Sequence, residues 1–126
     1  MKHLADYIQI LPLTDFDSFN GTTLISKSGA DPDRLIANNR LVFDPKPESS
    51  AAGPFYTESL KVVVDKLTDD QRTNYTSRRP VVVLLFDDTG TPVLWGDAEQ
   101  KVRVTITPNT DYDILDLVMK TTKALF

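Results

Sequence analysis

The stretch from Arg79 to Pro108, RPVVVLLFDDTGTPVLWGDAEQKVRVTITP, decides the fold, because it reads as three consecutive β-strands joined by tight turns. Residues 81 to 86, Val-Val-Val-Leu-Leu-Phe, are apolar without interruption and bounded by Pro80 and Asp87. Such a run between turn residues is expected of a strand buried on both faces. Val102, Val104 and Ile106 then alternate with Arg103, Thr105 and Thr107, so the last strand buries one face and wets the other. Between them, Asp87-Asp88-Thr89-Gly90 is a turn signal, since Asp bonds its own backbone and Gly accepts positive φ. Val82, Leu84, Phe86, Val102, Val104 and Ile106 are therefore expected in the core.

Upstream, Phe55 to Leu67 continues the β reading, with Leu60, Val62 and Val64 on one face and Lys61 and Asp65 on the other; Leu60 and Val62 join the expected core. Thr68-Asp-Asp-Gln71 matches a capping box: the Thr hydroxyl accepts from the Gln71 amide, whose side chain returns the bond. The spacing predicts a short surface helix from Asp69 to Arg78, stopped by Pro80, with Tyr75 as its one large apolar residue. Nearer the N-terminus, Tyr7 to Leu13 reads as a strand ending at Pro12. Asn20-Gly21 is a hairpin dipeptide leading into the β-prone run Thr22 to Lys27. Ser28 to Asp33 is loop chemistry, and Asn38-Asn39 forms a turn unless one unbroken strand crosses Leu35 to Phe43. Residues 44 to 54, DPKPESSAAGP, contain three prolines and are expected to form an exposed loop or mobile arm. The C-terminal DYDILDLVMKTTKALF fits two periods: Ile114, Leu117, Val118 and Thr121 a helix, and Leu115, Leu117 and Met119 a strand.

At 126 residues with 40% apolar content, the chain has the length of a single domain, residues 1–126, and enough apolar surface for a core. The expected class is mainly β: an antiparallel β-sandwich or partly open barrel with one short α-helix. Absence of cysteine excludes disulfides, thiolate metal sites and a Cys nucleophile, and fits a reducing compartment. The opening MKHLADYIQILPLTDFD is interrupted by Asp6 and Gln9, unlike a signal peptide. No stretch approaches the roughly 18 apolar residues that span a bilayer. A cytoplasmic protein without a membrane partner is expected. With a net charge of −4, duplex binding would need a local basic patch against global repulsion. Only Arg78-Arg79 hints at one, so no nucleic-acid partner is expected.

Catalytic constellations are scarce. His3 is the one histidine, which precludes a Ser-His-Asp triad at any interior position and an imidazole-rich zinc site. Asp87, Asp88, Asp97 and Glu99 could converge on a hard cation, but turn chemistry already explains them. Asp15 to Gly21 resembles the start of a calcium loop and fails on Phe19, on a glycine one residue late, and on Ser26 in place of the bidentate glutamate. Glycines at 21, 29, 53, 90 and 96 make no phosphate-cradling loop. Asn20-Gly-Thr22 and Asn74-Tyr-Thr76 match the glycosylation sequon by chance in a Thr-rich chain. Trp95, beside Leu94 and Gly96, and Tyr112 are the candidate ligand or interface residues, Trp95 as a stacking platform or a core anchor. No catalytic residue, cofactor or metal is expected.

Over Phe55 to Phe126 the order FYTESLKVVVDKLTDDQRTNYTSRRPVVVLLFDDTGTPVLWGDAEQKVRVTITP resembles small proteins encoded in the structural gene clusters of bacterial prophages, of the tail or head–tail type. The resemblance lies in the pattern of strand, short helix and meander. It implies a final strand rather than a final helix, function through surfaces and self-assembly, and no catalytic residues to carry over. The expected function is a structural or assembly protein whose partners are proteins, either further copies of itself or other virion components. Two alternatives are a glycan-binding module using Trp95 and Tyr112, and a metal-dependent hydrolase built on the acidic cluster.

Overall fold

Period-2 alternation of apolar residues builds a chain of strands: β1 (Lys2–Pro12), β2 (Phe16–Phe19), β3 (Leu24–Ser26), β4 (Asp33–Ile36), β5 (Val42–Ser50), β6 (Gly53–Asp65), α1 (Asp69–Asn74), β7 (Val81–Asp87), β8 (Pro92–Trp95), β9 (Arg103–Pro108) and β10 (Tyr112–Thr121). The computed structural model describes residues 2–75, 79–122 and 125. The protein is mainly β with one short helix among those residues, as the alternation of its apolar residues leads one to expect.

Strands neighbour one another in the order β8-β7-β1-β5-β6-β10-β9, and β4 pairs with β1. The registered pairs are antiparallel. A bridge between Val81 and Val102, with the Val81 N–H donating to the Val102 carbonyl at 2.9 Å, links β7 to the start of β9. That link joins the β9 end of the path back to β7, next to its other end, so the strands enclose one interior in an antiparallel β-sandwich or partly open barrel. Gly96 makes the approach feasible: its φ is +95°, and a Cβ there would stand 2.8 Å from the Val102 Cγ2. Only glycine meets both conditions without strain.

β7 is buried along Val81 to Phe86, and its two faces feed different clusters. Val81, Val83 and Leu85 join Ile8, Ile10, Phe43, Leu60, Val62, Trp95, Val104, Leu115 and Leu117 in the barrel interior. Val82, Leu84 and Phe86 form an outer cluster with Leu11 and Leu24, against which Phe16 and Phe19 pack. The cover for that outer face is the β2–β3 hairpin, whose turn is fixed by Asn20: its Oδ1 accepts the N–H groups of Thr22 and Thr23, each at 2.9 Å. Leu60, Val62, Val102 and Val104 are buried as expected. Ile106 differs, being half-buried and packed against the rim of the core.

Thr68 caps α1 as its spacing predicts: its hydroxyl accepts from the Gln71 N–H at 3.2 Å, and the Gln71 Oε1 accepts from the Thr68 N–H at 3.0 Å. The helix ends at Asn74, short of the expected Arg78; residues 76–78 lie outside the described residues. No residue of α1 is buried, yet Tyr75, its C-cap, is. Asn38-Asn39 does turn the chain, and both side chains stitch the turn to β6. Asn39 accepts from the Val63 N–H and donates to the Lys61 carbonyl, each at 2.9 Å.

Two expectations are corrected or resolved by pairing partners. Residues 44 to 54 are exposed from Lys46 to Ala52 but are not a loop. They form the β5–β6 hairpin, registered from Asp44↔Ser59 to Ser50↔Gly53. N–H groups at i and i+2 in a strand point to the same side, so Pro45 and Pro47 can both face away from β6 and remove no ladder donor. Gly53, at φ +118°, completes the turn after Ala51 and Ala52. The C-terminal element is the strand β10, because β6 and β9 flank it on both sides and Leu115, Leu117 and Met119 face the interior.

Leu84 has no exposed surface and sits between β1 and β8. Leu84→Ala is expected to destabilise by about 2–5 kcal/mol, through lost burial and the cavity left behind. Urea titration checks it, and a loss under about 0.5 kcal/mol would contradict a closed outer cluster.

Candidate functional site

The residues singled out by sequence are scattered. Trp95 is fully buried, facing β7 at Val83 and meeting the Phe43 ring edge-on at a centroid distance of 5.1 Å. Tyr112 is 40% exposed and pairs with Asp65. Trp95 reaches β6 at Glu58, seven residues from Asp65, which is about 23 Å along a strand. The two rings therefore form no common platform. His3 is exposed in β1 opposite Val42.

The acidic residues serve turns. Asp87 Oδ1 accepts the Thr89 hydroxyl at 2.6 Å and the N–H groups of Thr89 and Thr91, each at 2.9 Å. The Thr89 hydroxyl, then the Thr91 N–H, hold the Asp87 carboxyl below the usual carboxylate range. Asp97 Oδ1 accepts the N–H groups of Glu99 and Gln100 at 2.8 and 2.7 Å. Among the described residues, no group of three or more His, Cys, Asp or Glu converges as a metal site.

The β6–β10 pair instead carries two interior carboxylates, one toward each end. Glu58 continues the inward series of Leu60, Val62 and Val64 and is fully buried. Its Oε1 accepts the Trp95 indole N–H at 3.2 Å, and its Oε2 accepts the Leu125 N–H at 2.8 Å. Asp113 begins the inward series of Leu115, Leu117 and Met119, also fully buried, opposite Val64. Six residues of β6 separate the two positions, about 20 Å. Interior carboxylates need donors, and Asp113 has four: the Leu67 N–H at 2.9 Å, Lys66 Nζ at 3.2 Å, and Arg72 Nη2 and Nε at 3.1 and 3.4 Å. Burial raises the Asp113 pKa, but the Leu67 N–H and the two cations outweigh it and leave the carboxyl below its usual range. This cluster fastens the α1 segment to the barrel.

A cleft of about 740 Å³ is lined by Pro12, Asp15, Asp31, Asp33, Tyr75 and Arg79 among others. Two of its acids, Asp15 and Asp33, also do structural work. The Tyr75 hydroxyl donates to Asp33, and Asp15 accepts the N–H and hydroxyl of Ser28 at 3.0 and 2.8 Å. Burial, reinforced by Asp33, pushes the Tyr75 hydroxyl far above its ordinary range.

Sequence reasoning passed over Glu58 and Asp113. The signal was present: extending the Leu60-Val62-Val64 and Leu115-Leu117-Met119 alternations back by two residues lands on each. Comparison of the chain with protein-family models, curated proteins and solved structures finds no match.

A carboxyl whose folded pKa lies below its unfolded value contributes stability above the unfolded value, which is lost as pH falls through the folded one. Asp113→Asn is expected to cost about 1.5–3 kcal/mol at neutral pH, the worth of hydrogen bonds to a charged group. It should also flatten the acid limb below the ordinary Asp value of 3.8. Chemical denaturation across a pH series measures both; an acid limb as steep as that of the parent chain would remove Asp113 from this role.

Proposed function

We propose that this chain is a non-enzymatic structural and assembly protein, a tail or head–tail component of a phage or prophage, made in the cytoplasm and incorporated into a virion. The observation that carries the reading is the β5–β6 arm. Pairing of β1 with β5 stops at Lys2↔Phe43, whereas β5 and β6 continue together to Ser50↔Gly53 with Lys46 to Ala52 exposed. β10 flanks β6 as far as Thr121↔Tyr56, so the two-stranded part is the tip from Glu48 to Phe55; such a tip is marginally stable by itself and gains most by laying its surface on a neighbour. Further support comes from the outward side of β10, where Tyr112 and Val118 are 40% and 38% exposed. The resemblance to prophage structural proteins over Phe55 to Phe126 points the same way. Such a protein acts through surfaces, and its partners are other copies or other virion proteins.

Sedimentation velocity over a wide concentration series tests this. The average mass is expected to rise with concentration, and the double variant Ala51→Glu, Ala52→Glu to shift the rise to higher concentration with the fold intact. A single-chain mass throughout contradicts self-assembly; association indifferent to the two glutamates contradicts the part given to the arm.

A further inference from the structure

Hydrogen bonds at the base of the β5–β6 hairpin fix which way its backbone faces. The Leu4 N–H donates to the Leu41 carbonyl at 3.1 Å, so Leu41 turns its backbone groups toward β1. That orientation recurs at every second residue of an extended chain, and Phe43, Pro45, Pro47 and Ser49 therefore face the same side, away from β6. On β6, Asn39 accepts from the Val63 N–H and donates to the Lys61 carbonyl, each at 2.9 Å. Odd-numbered residues of β6 thus face the β5 side, and Glu58, Tyr56 and Pro54 face the β10 side. The register agrees, because Pro45↔Glu58, Pro47↔Tyr56 and Ser49↔Pro54 are alternate pairs of one ladder. Each of these prolines stands where a nitrogen points out of the ribbon.

Their positions follow the places where cover stops. Among the described residues β1 accompanies β5 as far as Lys2↔Phe43, and the next two outward nitrogens are those of Pro45 and Pro47. β10 accompanies β6 as far as Thr121↔Tyr56, and the next outward nitrogen is that of Pro54. An uncovered strand edge is a template for pairing with another chain, and proline blunts it by removing a donor and setting a ring in its place. On β5 past Phe43, Ser49 alone keeps an outward N–H. We propose that Pro45, Pro47 and Pro54 are edge guards: they close both edges of the tip to strand addition, whether by a second copy or by another extended chain. A neighbour then meets the tip through side chains on its faces. The guards do not depend on the assembly reading, since a single chain needs protection from edge-to-edge aggregation as much as an assembled one does.

The test uses the full chain carrying Pro45→Thr and Pro47→Thr together and, separately, Pro54→Thr; threonine restores the N–H and favours the strand. Restored backbone donors of ordinary worth shift an association about tenfold for the pair of substitutions. Sedimentation velocity should therefore show the double variant associating at concentrations about tenfold below any at which the parent chain does, with the far-ultraviolet circular dichroism of the parent chain retained on dilution. Hydrogen exchange identifies the contact: the new amides at positions 45 and 47 should be protected in the associated species and exposed in the dilute one. Pro54→Thr opens the other edge and provides a second host should the double variant fold poorly, with its new amide as the reporter. Association no stronger than that of the parent chain in both hosts, or association that leaves the new amides exchanging freely, overturns the guards. A parent chain that sediments as a single-chain species while the variants associate supports the guards and removes self-assembly. A parent chain that associates, with variants no different from it, keeps assembly and removes the guards.

Discussion

Everything in this fold follows from a strand with no polar face. Val81 to Phe86 present six apolar side chains in succession, and in a pleated strand three point to each side. One sheet with one wet face cannot hold such a strand; both faces need cover. The barrel interior covers Val81, Val83 and Leu85, and the β2–β3 hairpin is laid over Val82 and Leu84 with Phe16 and Phe19. β1 feels the same demand: Ile8 and Ile10 go inward while Leu11 goes to the outer cluster. The closing contact from Val81 to Val102, and the glycine that lets the chain come so near it, complete the enclosure.

The rest of the molecule is what that enclosure permits. With a dry interior settled by β7, β1 and β8, the β6–β10 pair can carry a carboxylate toward each end, each held by several donors. Asp113 fastens the α1 segment, and Glu58 fastens Trp95 and Leu125. Past the last β10 pair, Thr121↔Tyr56, β5 and β6 run on as a short exposed tip. Asp87 and Asp97 are occupied with turns, and Glu58 and Asp113 with anchors.

How much of this could be read beforehand depended on how local the cause was. The apolar run of β7, the Asp87 turn, the Thr68 cap and the Asn20-Gly21 hairpin are set by residues within a few positions of one another, and all appear where the sequence places them. The helix–strand ambiguity of Asp111 to Phe126 was not local: both periods are present, and neighbours on each side, β6 and β9, select the strand. Residues 44 to 54 misled through composition, since prolines that read as loop are harmless on an outer edge. The pairing of Tyr75 with Asp33, 42 residues apart, leaves no local trace at all. Trp95 illustrates the limit for the site: an aromatic residue at a strand end suits a core anchor and a binding platform equally, and only the Phe43 and Glu58 contacts distinguish them.

The central claim is that β7 is the strand on which both clusters depend, and native-state hydrogen exchange tests it most directly. The amides of Val82 to Leu85 are expected to exchange only through global unfolding, with protection that matches the free energy from denaturant titration. The amides near the tip of the β5–β6 ribbon should exchange through much smaller openings. Exchange of the β7 amides at rates like those of the ribbon, under conditions where the fold is intact, would contradict the account.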